Sequence, residues 1–226
     1  MTSVVETFYA IDFDRCLSDT VKLDEIFYRL ANDSYPQLNA SELLRQRNEI
    51  ESSGRTFDQI GALQKVFNES ELLEFLDTFV SKALEEDTLA SGARELIKKL
   101  EQHSLPFGLV TYGGIRWQQV KIKASGVDSI PTLITDHTGK GEIIFGWQQS
   151  DRTFLIPSDL TKKELKVRTV VLIDDKAVAF TGLPQVARGY WVQSVTKQLL
   201  PSQTGTIPSN VRIARGLEQV IEREAL

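Results

Sequence analysis

The sequence should fold as an α/β protein: a parallel sheet, a helical segment inserted after the first strand, and a β-hairpin on one sheet edge. Two patterns lead there. Short, nearly continuous apolar runs alternate with amphipathic helical stretches, as expected for strands buried on both faces by helices. Residues 19–87 interrupt this alternation with helical periodicity and no strand pattern. Residues 1–18 and 88–226 therefore form one domain, and residues 19–87 form a second, inserted one.

Residues 7–12 (TFYAID) are an apolar run ending in a carboxylate and read as the first strand. Four helical stretches follow at residues 21–33, 40–53, 56–67 and 69–86, separated by Pro36, Gly54 and the polar residues 68–70. Residues 90–104 continue as a helix, and residues 106–114 (PFGLVTYGG) as a strand running into a glycine loop. Residues 114–127 read as a helix packed on the sheet, and residues 131–136 (PTLITD) as a strand. Residues 141–157 carry two apolar runs around a polar turn, the pattern of a hairpin. Residues 169–175 (TVVLIDD) are the most strand-like run in the chain, residues 189–195 read as another strand, and residues 210–224 as a closing helix. Together these describe a Rossmann-like parallel sheet.

Composition narrows the function. The chain has 226 residues, 41% hydrophobic and 25% charged, which is ordinary for a globular protein and unlike disordered or fibrous chains. No apolar run approaches the roughly 18 residues a membrane span needs. The first residues carry no basic stretch of the kind that opens a secretory signal. A single cysteine excludes a disulfide framework and a cysteine-bound metal cluster, so the cytoplasm is the expected compartment. A net charge of −5 speaks against nucleic acid as the main partner. Oligomeric state leaves no mark in the sequence.

Three expected strands end in chemically useful groups: Asp12, Phe13 and Asp14; Thr111, Tyr112, Gly113 and Gly114; and Asp174, Asp175 and Lys176. Open α/β sheets bind ligands beyond the carboxyl ends of their strands. Were these strands neighbours, four carboxylates would crowd one small volume, which is costly unless a cation sits among them. Oxygen ligands without cysteine or histidine select Mg²⁺, whose remaining positions take water and phosphate. Each group alone has a plain explanation: Asp-x-Asp suits a solvated turn, an acidic pair suits a helix cap, and threonine commonly ends a strand. Their order and placement together carry the signal.

Those motifs resemble the haloacid dehalogenase superfamily. Its first motif, a strand ending Asp-x-Asp, is matched by AIDFDRCL; its second, a strand ending in Ser or Thr, by FGLVT; its fourth, a strand ending in an acidic pair, by VVLIDD. The stretch SGARELIKKLEQHSLPFGLVTYGG is also similar, and the resemblance covers residues 5–17 and about 88–195. It implies that residues 19–87 are a C1-type cap over the active site. It implies Asp12 as a nucleophile forming an aspartyl-phosphate, and Asp14 as general acid and then general base. Mg²⁺ would be held by Asp12, the Asp14 carbonyl and Asp175, with Asp174 assisting. Thr111 and the backbone N–H groups of Phe13, Tyr112 and Gly113 would bind the phosphoryl oxygens. The Asp at position 14 is the phosphatase and mutase pattern; the family's dehalogenases lack it and need no Mg²⁺.

The third motif is a lysine, for which Lys121, Lys123 and Lys140 compete. Lys121 and Lys123 lie on the expected helix that runs away from the strand ends, whereas Lys140 follows residues 131–136 by a short loop, which assigns it the role. The family's lysine usually opens a helix, yet Lys140 precedes the expected hairpin. Arg15 and Cys16 stand where the family's small-molecule phosphatases carry Gly-Thr; Arg15 is either a substrate contact or an outward turn residue, and Cys16 a small packed one. Arg45, Arg47, Arg55 and Lys65 either face a phosphorylated substrate or form a solvated helix face. His103 and His137 lack ligand spacing, HTGKG lacks the spacing of a phosphate loop, and Trp117, Trp147 and Trp191 read as packing residues. The resulting expectation is a Mg²⁺-dependent phosphohydrolase acting on a small phosphorylated metabolite. The alternatives are a phosphoglucomutase-like phosphotransferase or a catalytically silent binding protein.

Overall fold

The computed structural model describes residues 5–53, 55–161, 163–193 and 207–226. By contact it divides into two units: residues 1–18, 89–112 and 130–226, and residues 19–88 with 113–129. Among the described residues, no helix is long and apolar enough to cross a membrane.

Among the described residues, the first unit is built on seven strands: β1 (Val5–Ile11), β2 (Phe107–Tyr112), β3 (Thr132–Thr135), β4 (Phe154–Ile156), β5 (Leu165–Asp174), β6 (Arg188–Val192) and β7 (Val211–Ala214). Their order is β3-β2-β1-β5-β6-β7, all parallel, with β4 antiparallel to β5. Strand β1 is central, pairing Ile11 with Leu109 on one side and with Ile173 on the other. It is buried along most of its length, which is why its sequence is a continuous apolar run rather than an alternating one. Phe8, Ala10, Val110, Val170, Leu172 and Trp191 form one face of the sheet's core. Helices α7 (Lys140–Trp147) and α8 (Ser158–Thr161), with the 3₁₀ turn Ala177–Phe180, cover that face through Ile144, Trp147, Leu160 and Phe180. Helices α5 (Ala93–Gln102) and α9 (Leu217–Glu224) pack against each other elsewhere in this unit. Glu224, at the end of α9, accepts hydrogen bonds from Tyr9 (3.0 Å), Tyr190 (2.8 Å) and Arg188 (2.7 Å), which clasps the helix to β1 and β6.

The second unit is all helical: α1 (Thr20–Ser34), α2 (Ala40–Ser52), α3 (Gln59–Gln64), α4 (Glu69–Leu84) and α6 (Ile115–Ala124). Asp19, Asn39, Asp58 and Asn68 cap the first four by accepting from backbone N–H groups, and Asn68 with Glu71 completes a capping box. The apolar stripe Leu23, Ile26, Phe27 and Leu30 of α1 meets Leu72, Phe75, Leu76 and Phe79 of α4 around an aromatic cluster. Trp117 stacks on Phe79 and meets Phe27 edge-on, so α6 is part of this unit. The expected sheet-facing position for α6 is corrected accordingly; the large indole finds its partners among these phenylalanines.

Two further expectations are corrected. The expected hairpin over residues 141–157 is a helix followed by a strand. Residues 140, 141, 144 and 147 are buried at helical spacing, and only Phe154–Ile156 joins the sheet. Strand β4 takes the stretch of β5 from Leu165 to Val167, before β6 begins pairing at Val171. The expected closing helix over residues 210–224 is β7 plus the shorter α9; Val211 and Ile213 pair with β6 before the helix starts. The expected strand over 189–195 is β6, and its last two residues lie outside the described ones.

Candidate active site

The register of three strands assembles the site. Ile11 and Ile173 are level, so the next residues, Asp12 and Asp174, emerge side by side at the carboxyl ends of β1 and β5. Asp12, Asp174 and Asp175 are 4%, 1% and 8% exposed, and one carboxylate oxygen from each lies within 4.8 Å of the others. Lys140 is the first residue of α7, as the family's third-motif lysine usually is, and is itself 3% exposed. Its Nζ bonds to Asp12 Oδ1 and, at 2.6 Å, to Asp174 Oδ2. The Lys176 backbone N–H donates to Asp174 Oδ1 at 2.8 Å, so both oxygens of Asp174 are engaged. The Trp191 indole N–H donates to the Asp175 carbonyl at 3.0 Å, and Cys16 Sγ lies 3.7 Å from the Ile173 carbonyl. Thr111, near the end of β2, is fully buried, and its hydroxyl has no hydrogen-bond partner among the described residues.

Three carboxylates are buried together, with Lys140 bonded to two of them, and their crowding is felt as negative charge at Asp12 and Asp174. Burial, with Asp174 and Asp175 adding to it against the pull of Lys140, raises the Asp12 carboxyl to about 8. Burial and Asp175 raise Asp174 as well. Burial works against the charge of Lys140, but Asp12 and Asp174 outweigh it and hold its pKa above the ordinary lysine value. The donor set is hard oxygen only, so it fits a divalent cation such as Mg²⁺, which would remove the excess charge. Between the ordinary carboxylate value of about 4 and about 8, folded Asp12 keeps a proton that the unfolded chain has released. Stability in EDTA should therefore fall as pH rises through that window, lowering Tm by more than about 4 °C, and level off above it. Thermal melts read this, and Asp12→Asn should flatten the slope; an unchanged slope in that variant would refute the assignment to Asp12.

The structure thus brings together Asp12, Thr111, Lys140, Asp174 and Asp175 of the expected set in one unit. Phe13 is fully buried, Asp14 half-buried, and Tyr112 half-buried at the end of β2. The Asp14 carboxylate is not one of the three that converge. Gly113 has φ +146° and opens residues 113–129, which group with the helical unit. Arg15 is exposed and left-handed, φ +61°, in the turn closed by Ser18 N–H on the Phe13 carbonyl. The turn needs a backbone that glycine adopts readily, and an L-residue there costs about 1–2 kcal/mol. Of the helical unit's basic residues, Arg45 pairs with Glu42 and Glu49, and Arg47 with Asp24 and Glu51. Arg55 and Lys65 are exposed. Lys123 lies 3.8 Å from Asp77 within that unit. Sequence reasoning missed the backbone of Lys176 and the indole of Trp191 as groups that hold the acidic pair; Lys176 directly follows that pair, but nothing local announces Trp191.

No protein-family model matches the sequence, and no curated protein matches it. Solved structures do. A protein described as a haloacid dehalogenase-like hydrolase, from Burkholderia xenovorans LB400, is 16% identical with TM-score 0.65, over 98% of this chain and 97% of its own. A HAD-hydrolase of Bacillus subtilis, YfnB, bound to magnesium, is 17% identical with TM-score 0.54, over 99% and 100%. A protein described as a β-phosphoglucomutase, from Thermotoga maritima, is 15% identical with TM-score 0.53, over 98% and 100%. The matches also include a 2-haloacid dehalogenase of Pseudomonas syringae pv. Tomato DC3000, 13% identical with TM-score 0.52, over 98% and 99%. The chain has the haloacid dehalogenase-like fold, the one that the motifs at Asp12, Thr111, Lys140 and Asp174 with Asp175 resemble.

Proposed function

We propose that this protein is a Mg²⁺-dependent phosphohydrolase that cleaves a small phosphorylated metabolite in the cytoplasm through an aspartyl-phosphate. The observation that carries the reading is the Thr111 hydroxyl: a fully buried donor with no acceptor among the described residues, near the end of β2, which pairs with the strand that runs into Asp12. A buried unsatisfied polar group costs about 1–3 kcal/mol, and a phosphoryl oxygen would satisfy it. Asp12 attacks phosphorus; its oxygen forms the new P–O bond as the ester P–O bond breaks, and Asp14 gives its proton to the leaving oxygen. Asp14 then takes a proton from water, whose oxygen attacks phosphorus and frees Asp12. Lys140 offsets the charge that Asp12 and the phosphoryl group bring together, and the backbone N–H groups of Phe13 and Tyr112 supply further donors.

Asp12, Asp175 and the Asp14 carbonyl would hold Mg²⁺, with Asp174 orienting Lys140, because both Asp174 oxygens already accept hydrogen bonds. The ion would supply charge neutralisation for the phosphoryl oxygens. The acidic excess favours phosphoryl transfer over carbon–halogen cleavage, which gains nothing from three crowded carboxylates. The test is phosphate release from p-nitrophenyl phosphate with Mg²⁺ and with EDTA, beside chloride release from 2-chloropropionate. Mg²⁺-dependent phosphate release is expected; chloride release without it would overturn the reading. Thr111→Val, nearly isosteric, should lower the rate about 10²–10³-fold while leaving Tm equal or higher, since it removes an unsatisfied hydroxyl. Melts and kinetics on the one variant check both halves.

A further inference from the structure

Helix α7, whose first residue Lys140 bonds to two carboxylates, lies very close to the segment that follows the acidic pair. A Cβ on Gly141 would fall on the Thr181 carbonyl oxygen, 2.7 Å from Leu183 N and 3.0 Å from the Phe180 carbonyl oxygen. These are backbone atoms and cannot swing aside. From the other side, a Cβ on Gly182, where φ is +73°, would lie 2.7 Å from Glu142 Cγ. The two glycines interlock α7 with residues 180–183. That segment is joined to Asp174 and Asp175 by the 3₁₀ turn Ala177–Phe180, whose Ala177 and Phe180 are core residues. The path from Lys140 through this contact and back to Asp174 is therefore a short closed circuit of packed backbone.

The geometry points to Gly141 as the positioning residue for Lys140. It touches no reacting atom; its lack of a side chain sets how near the lysine's helix stands to the carboxylates. Its kinetic consequence rests on the phosphohydrolase reading, whereas its structural consequence does not. Interiors are close-packed, so a methyl group inserted here must displace α7 or the 180–183 segment rather than be absorbed.

The experiment is a double-mutant cycle of Gly141→Ala with Lys140→Met, with Gly146→Ala as control. Gly146 lies on the same helix with nothing within 4 Å of its added Cβ. Gly141→Ala should lower kcat on p-nitrophenyl phosphate at least about tenfold at a temperature where it is fully folded. In the Lys140→Met background the same change should cost less than about twofold, because the group it displaces is gone. Gly146→Ala should match wild type. A crystal structure of Gly141→Ala should show the lysine drawn away from Asp174 Oδ2. A tenfold loss that persists in the Lys140→Met background, or a lysine that keeps both contacts in the variant, would overturn the proposal. Absence of phosphatase activity in wild type, with the lysine still displaced in Gly141→Ala, would sink the phosphohydrolase reading and leave the positioning role standing. Should Gly141→Ala not fold, Gly182→Ala strains the backbone of the same 180–183 segment at φ +73°, and its loss in kcat should likewise vanish in the Lys140→Met background; a loss that persists there would overturn the proposal.

Discussion

Asp12→Asn is expected to remove hydrolysis almost completely, by about 10⁴-fold or more, the scale on which loss of a covalent nucleophile is felt. The amide cannot form the acyl-phosphate and is a weaker ligand for Mg²⁺. The fold should survive. Lys140 keeps Asp174, and removing one of three crowded carboxylates relieves the burial cost, and with it the repulsion, that raises Asp12 to about 8. In EDTA at pH 8 the variant should melt at or above the wild-type temperature. Steady-state kinetics and a thermal melt on the same preparation decide the matter, and a folded variant with near wild-type turnover would end the mechanism.

Lys140→Met is expected to cost about 10²–10³-fold in rate, the usual effect of removing one preorganised electrostatic contact. Its effect on stability should be opposite to that of Asp12→Asn, although the two residues are the two ends of one ion pair. Taking away the ammonium leaves Asp12 and Asp174 buried with like charge for company, and stranding one partner of a buried pair costs about 3–5 kcal/mol. The deficit should grow with pH, because at low pH the stranded carboxylates take up protons instead. Lys123→Met, on α6 beside Asp77, is the control and should stay within a few-fold of wild type. Normal activity in Lys140→Met would return the search for the third-motif lysine to its beginning.

The central strands and their terminal carboxylates were legible because a parallel strand buried on both faces must be a continuous apolar run, and such a run stops where the chain turns polar. Asp12, Thr111 and Asp174 are those stopping points. The helical insertion was legible from its periodicity and from the breaks at Pro36, Gly54 and residues 68–70. Helix α7 was not, because Ile143, Ile144 and Phe145 have strand-forming character and lie consecutively; only the tertiary contact at Gly141 and the burial of Lys140, Ile144 and Trp147 make them a helix. Strand β7 was hidden by the stronger helical pattern that follows it. The allegiance of α6 turns on where Trp117 finds aromatic partners, and periodicity carries no such information. The left-handed turn at Arg15 ran against residue preference altogether, since glycine is the residue that announces such a turn.

The sheet order has a consequence for the time at which activity can arise. Strand β1 takes its neighbours from distant parts of the chain, Ile11 beside Leu109 and Ile173. A ribosome delivers this strand well before its last neighbour, and contacts between remote segments bear the loop-closure entropy before they are rewarded. The helices of residues 19–88 can consolidate locally while β1 waits with open hydrogen-bonding edges. Asp12 is thus made well before the residues that complete its surroundings. Lys140 follows it by 128 residues, and the acidic pair comes later still. A nascent chain released short of β5 would expose an apolar strand with no partner on one side, and it is for chaperones and proteases, rather than for substrate, that such a fragment would compete.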